Sequence, residues 1–224
     1  MLANAVTNSC TTITFDSSVT LITLNSELTI SATWTGTLDG GGTVAISGNN
    51  SVRVLMINNA SANVTLKDIT LKQGYAQDGG GVYVNDGMLM LDSGSTISNN
   101  NASRYCGGVY VDAGGTLLMN SGSTVSNNTA SNSSGGGVYL HGGTLSMNNG
   151  STISDNTAKY AGGLALILGT ATLSGTIEGN EATGGMNGGG IYTQIDVSAS
   201  SPSYGSDNTP ANCRAYTPTG GVCP

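Results

Sequence analysis

The chain has 224 residues and a net charge of −7, with 8% charged and 5% aromatic residues but 35 glycines. Its six Lys and Arg, none of them clustered, exclude the basic face that nucleic-acid phosphates demand and the polybasic patch of a membrane-surface protein. No apolar run is long enough to be a membrane-spanning helix, and aliphatic residues on a strict period exclude a disordered chain.

Residues 1–50 read as N-terminal coils. Met1 to Cys10 has neither the basic start nor the apolar core of a signal peptide. Four cysteines on a polar, low-charge chain nevertheless favour an oxidising exterior, so the expectation is an extracellular or cell-surface protein whose export signal was removed ahead of this numbering. Short apolar runs follow at Ile13 and Phe15, Leu21 to Leu24, Leu28 and Ile30, and Val44 and Ile46, separated by turn residues. Trp34 is expected to pack in the core or at its end.

Residues 51–197 hold the regular coils. Val52 to Ile57 and Val64 to Leu71 read as a transitional coil, and from Gly79 the register is clean. Gly80-Gly81-Val82-Tyr83-Val84 returns as Gly107-Gly108-Val109-Tyr110-Val111, Gly136-Gly137-Val138-Tyr139-Leu140, Gly162-Gly163-Leu164-Ala165-Leu166 and Gly189-Gly190-Ile191-Tyr192-Thr193, about every 27 residues. Each repeat shows three short alternating runs, such as Val109 to Val111, Leu117 to Met119 and Thr124 to Ser126. Alternation sends Val109, Val111, Leu117, Met119 and Val125 to one interior and Tyr110, Leu118, Thr124 and Ser126 outward. No run has the length and 3.6-residue period of a crossover helix, so each strand is expected to pair with its equivalent one coil on, about 4.8 Å away. The result is an all-β parallel β-helix of three strands per coil and roughly eight coils.

Three further columns run through it. Leu71, Ile97, Val125, Ile153 and Ile177 form an aliphatic column, with Ala76, Ala102, Ala130, Ala158 and Ala182 beside it. Asn100, Asn128, Asn156 and Asn180 form another, whose amides can hydrogen-bond along the rod and are read as structural.

These Gly-Gly-(Gly)-Val-Tyr and Ser-Thr-Ile-Ser-x-Asn-x-Ala repeats resemble the right-handed β-helix repeats of large prokaryotic surface proteins. They are also similar to the Gly-Gly-Ala-Ile and Phe-x-x-Asn repeats of polymorphic outer-membrane proteins, although Phe-x-x-Asn is absent here. The resemblance covers roughly residues 12 to 197 and implies a right-handed, single-stranded parallel β-helix. For function it implies adhesins, polysaccharide lyases and structural proteins alike.

Residues 198–224 contain every proline of the chain and are expected to be a tail or cap rather than another coil. Cys213 and Cys223 lie there in a short loop, where a disulfide would contribute about 2–3 kcal/mol, and are predicted to pair. Cys10 and Cys106, between three and four coils apart, lie beyond the ~7 Å reach of a disulfide unless the N-terminal arm folds back.

The remaining candidates are sparse. Asp112 and His141 occupy equivalent positions in adjacent coils with Asp86 close by, which suits either weak catalytic candidates or a turn-stabilising pair. His141 is the only histidine, which disfavours a His-based metal site, and no facing pair of catalytic carboxylates is evident, so neither metal nor cofactor is expected. Tyr83, Tyr110, Tyr139 and Tyr192, interrupted by Ala165, form an outward stripe that either stacks on sugars or another protein, or lies beneath a segment of the same chain. Thr96 with Ser98, Thr124 with Ser126 and Thr152 with Ser154 make a hydroxyl face, broken by Lys72 and Glu178. The reading is a non-catalytic structural or adhesive solenoid that associates with copies of itself, with polysaccharide binding or cleavage as the alternative and ice binding as the third.

Overall fold

The computed structural model describes residues 10–184, 188–194, 197–199, 203–204, 208 and 213–215, with the backbone alone at 197–199, 203–204 and 213–215. Its strands pair in parallel throughout and fall into sheets of 11, 8 and 5 strands. Each strand meets its equivalent one turn on, giving about seven coils of roughly 27 residues rather than eight.

The three walls are divided differently from the three runs of the repeat. The first two runs are one continuous strand bent at an irregularity: Val82–Leu91, Val109–Met119, Val138–Met147 and Leu164–Leu173 all belong to the first sheet. Leu55–Lys67, expected as the end of one run and the start of another, is likewise one strand of 13 residues. The run Thr124–Ser126 belongs to the second sheet. The third sheet is built from very short strands such as Thr129–Ala130 and Thr157–Ala158, which alternation alone does not reveal because two residues show no period.

Inside, the columns are in register. Leu71 pairs with Ile97, Ile97 with Val125, Val125 with Ile153 and Ile153 with Ile177, each nearly or fully closed to solvent. Ala102, Ala130 and Ala158 pair in register and are buried at the third wall. Val109, Val111, Leu117, Met119 and Val125 all face the core. Trp34 is 2% exposed and donates through Nε1 to the Cys10 carbonyl at 2.7 Å, which fastens the first described residue to the N-terminal coils.

Positive φ accounts for only part of the glycine run that opens each repeat. Gly79 and Gly135 do have φ of 60° and 71°, as does Cys106 at the same column position with 57°. Gly108, however, lies in ordinary backbone, where a Cβ would sit 2.2 Å from the Gly137 carbonyl oxygen of the next coil. Crowding between coils, and not backbone twist, fixes the second glycine of that motif.

The Asn column is a hydrogen-bonded ladder. One residue before each amide, Gln73, Asn99, Asn127, Asp155 and Gly179 turn the chain through the left-handed region at φ of 52° to 60°. The backbone N–H that follows is lifted out of its sheet, and the side-chain amide one coil on supplies its acceptor. Asn100 N and Nδ2 both donate to Asn128 Oδ1 at 3.0 Å, while Asn128 Nδ2 donates to the Ile97 carbonyl at 3.0 Å. The same pattern runs from Gly74 N on Asn100 through Asn156 and Asn180 to Asn208. Asn100, Asn128, Asn156 and Asn180 are fully buried, and their amides have partners on both sides.

The segment after Val197 corrects the expected tail. Val197–Ala199 pairs with Leu164–Leu173, Ser203–Tyr204 with Thr176–Glu178 and Cys213–Ala215 with Ile191–Thr193, so the chain adds strands in both larger sheets. The predicted Cys213–Cys223 disulfide lies outside the described residues. Cys10 and Cys106 are both free, one exposed and one buried.

Candidate functional site

In-register parallel strands put each residue beside its equivalent, so a column of tyrosines becomes a column of stacked rings. Tyr83 pairs with Tyr110 and Tyr110 with Tyr139. Their ring centroids are 4.7 Å apart at 13° and 5.2 Å apart at 18°.

This column is not an open platform. Tyr110 and Tyr139 are 7% and 6% exposed, and they form a second apolar cluster with Cys106, Ala161 and Ala165. Tyr105 packs against Tyr139 at 4.7 Å. Of the two readings of the stripe, the one beneath a segment of the same chain holds for these two rings. Tyr83 and Tyr192 are half-buried; Gln194 Nε2 donates to the Tyr192 hydroxyl at 2.8 Å. Burial pushes the Tyr83, Tyr110 and Tyr139 hydroxyls well above the ordinary phenol range, with nearby charged or phenolic groups adding to the effect.

Asp112 closes one edge of the column. Its Oδ2 accepts from the Tyr83 hydroxyl at 2.8 Å, and its Oδ1 accepts from Ala113 N at 2.9 Å and lies 3.2 Å from His141 Nδ1. Burial raises the Asp112 carboxyl, but the hydrogen bonds from Tyr83, His141 and Ala113 outweigh it and hold the group below the ordinary value. His141 leans against Tyr110 and Tyr139, each 6.3 Å away. Asp86 does not join them; it accepts from Asn85 at 3.3 Å. Among the described residues, no three His, Cys, Asp or Glu side chains converge as a metal site.

The opposite edge is a charged clamp. Arg53 donates to Glu27 at 2.7 Å and to the Gly79 and Asp78 carbonyls, and its guanidinium lies 5.1 Å from the Tyr83 ring centroid. Arg104 forms a two-pronged pair with Asp78 and lies over Tyr105. Alternation and motif searching pass over this clamp, yet its signal is in the sequence. Arg53 follows Glu27, and Arg104 follows Asp78, by 26 residues, which is one coil.

The hydroxyl columns are in register as read, from Thr70 and Lys72 through Thr152 and Ser154 to Thr176 and Glu178. Ser98, Ser126 and Ser154 are nonetheless nearly closed to solvent.

The family model described as "right handed beta helix region" matches residues 37–200. The chain belongs to this family. No curated protein and no solved structure matches it. The solenoid is therefore a right-handed β-helix, a family whose members include enzymes and non-enzymes. On this right-handed β-helix, the chemistry-bearing side chains gathered on one flank are Asp112, His141 and Tyr83, with the Arg53 and Arg104 clamp beside them.

Proposed function

We propose that the chain is a non-catalytic structural or adhesive rod, exported to the cell surface or beyond, that associates with copies of itself. The observation that carries this reading is the axial use of its polar side chains. The Asn ladder joins coil to coil without interruption from Gly74 to Asn208, and both arginines of the flank clamp and the Asp112 carboxylate also bond to neighbouring coils. A carboxylate whose oxygens already face a phenol, a backbone amide and an imidazole of its own chain is poorly placed to take a proton from a bound substrate. These arrangements stiffen a rod.

The open edges of a β-helix offer rows of backbone donors and acceptors that fit another coil of the same cross-section, which supports head-to-tail association. The test is light scattering and negative-stain electron microscopy of the purified chain over a wide concentration range. Filaments or sheets are expected, and a monodisperse monomer at high concentration would overturn self-association.

One observation favours a second reading. The His141 and Asp112 side chains are 45% and 28% exposed, so a polysaccharide chain can reach the pair. A panel of acidic and neutral polysaccharides, with and without calcium, separates the two. Turnover that disappears in Asp112→Asn would refute the non-catalytic reading.

A further inference from the structure

The stacked tyrosines end in an arrangement that a purely structural column does not need. Tyr83 is held between the Arg53 guanidinium at 5.1 Å and the Tyr110 ring at 4.7 Å, and its hydroxyl donates to a carboxylate at 2.8 Å. That carboxylate faces an imidazole on its other oxygen at 3.2 Å. A phenol that loses an electron becomes a strong acid, so the ease of oxidation depends on whether a proton acceptor already sits on the hydroxyl. Asp112 is such an acceptor, held in place by His141 and the Ala113 amide on its other oxygen.

We propose that Tyr83 is a redox-active residue, the preferred site at which a one-electron oxidant of the peroxidase or photo-oxidised metal-complex class withdraws an electron from this protein. The electron passes to the oxidant, the O–H bond of Tyr83 breaks, its proton moves to Asp112 Oδ2, and a neutral phenoxyl radical remains. A one-electron reductant of the thiol or ascorbate class reverses the step, and the proton returns from Asp112. Because the proton stays in the pair, the flank gains no net charge beyond the electron removed. Arg53, whose charge is balanced by Glu27, does not oppose the product. Tyr110 and Tyr139 extend the aromatic contact inward past the free Cys106, so an electron vacancy formed in the cluster has a stacked route to Tyr83. The Tyr110 ring and the Arg53 guanidinium packed against Tyr83 also hinder other radicals from coupling to it.

Other oxidisable groups are distinguishable. Among the described residues, Tyr75 and Tyr160 are the more exposed phenols, at 45% and 37%, and Trp34 is buried in the N-terminal coils. The test is flash photo-oxidation of the intact chain, its accessible thiols alkylated, with a ruthenium tris-bipyridine complex and persulfate, read by electron paramagnetic resonance and by mapping of the oxidised residues. A long-lived tyrosyl signal is expected, lost in Tyr83→Phe and shortened in Asp112→Asn. A signal unchanged in Tyr83→Phe, or oxidation mapped mainly to Tyr75 and Tyr160, would overturn the assignment. If Tyr83→Phe fails to fold, Asp112→Asn decides, since it keeps the ring and removes the acceptor charge; an unchanged lifetime then refutes the proposal.

Discussion

Replacing Asn128 by Ala removes one rung from the middle of the ladder, and the cost can be worked from the groups it strands. Asn100 N and one Asn100 Nδ2 hydrogen lose their acceptor, and the Ile97 carbonyl loses a donor. All three lie against a residue that is fully buried. At about 1–3 kcal/mol for each unsatisfied buried group, the sum is large for a single side chain, and water entering the vacated space recovers part of it. A destabilisation of about 3 kcal/mol or more is expected. Asn127→Gly is the control: Asn127 itself sits at φ 55°, exposed, so glycine there removes a left-handed strain of about 1 kcal/mol and leaves the ladder intact. Urea unfolding followed by far-ultraviolet circular dichroism compares the pair, and hydrogen exchange at Asn100 N locates the damage. If Asn128→Ala costs less than about 1 kcal/mol, or no more than Asn127→Gly, the ladder is not what holds the coils in register.

Ile153→Ala, in a fully closed core column, is expected to cost about 2–5 kcal/mol in the same urea experiment, and a cost under ~1 kcal/mol would mean the interior collapses around the void. Asp112 titrates below its ordinary value when folded, so its contribution is present above the usual carboxylate range near pH 4 and is lost as pH falls through the lowered value. The stability gap between the native chain and Asp112→Asn should therefore narrow on acidification below about pH 4, and a gap that widens there would contradict the geometry. Cys10 should react with a thiol reagent in the native state, whereas Cys106, whose thiol burial pushes upward, should react only on unfolding. In urea without reductant, labelling confined to Cys10 and Cys106 is expected if Cys213 and Cys223 are joined.

The interior was legible because identical side chains recur at identical places. The Leu71 to Ile177 column and the Asn ladder were placed residue by residue, and both pair as read. Parity, however, states which side of a strand a side chain takes, and says nothing about what lies over that side. Tyr110 and Tyr139 do leave the core, yet Tyr105, Cys106 and Ala161 join the cluster that closes over them. The strands after Val197 are hidden for a related reason: the prolines dominate the composition of the whole segment, yet Val197–Ala199, Ser203–Tyr204 and Cys213–Ala215 each pair with an earlier strand and Asn208 continues the ladder. The clamp leaves no local cluster of opposite charges in the sequence. Glu27 with Arg53 and Asp78 with Arg104 are distant in sequence and adjacent only once the chain is wound.

Each inner amide of the ladder meets, above and below, the same groups that every other inner amide meets. One layer is therefore interchangeable with the next. A recombination that repeats residues 101–128 would insert a turn whose amide finds the partners it already had, and the rod would lengthen by about 4.8 Å without a new contact to invent. Loss of a layer is equally quiet. Length in such a molecule can change in whole steps during descent, while sequence within a layer stays bound by its neighbours. Chain extensions are accommodated where the ladder is not, as at Ser131 to Ser134, whose loop widens one turn while Asn128 and Asn156 keep their spacing.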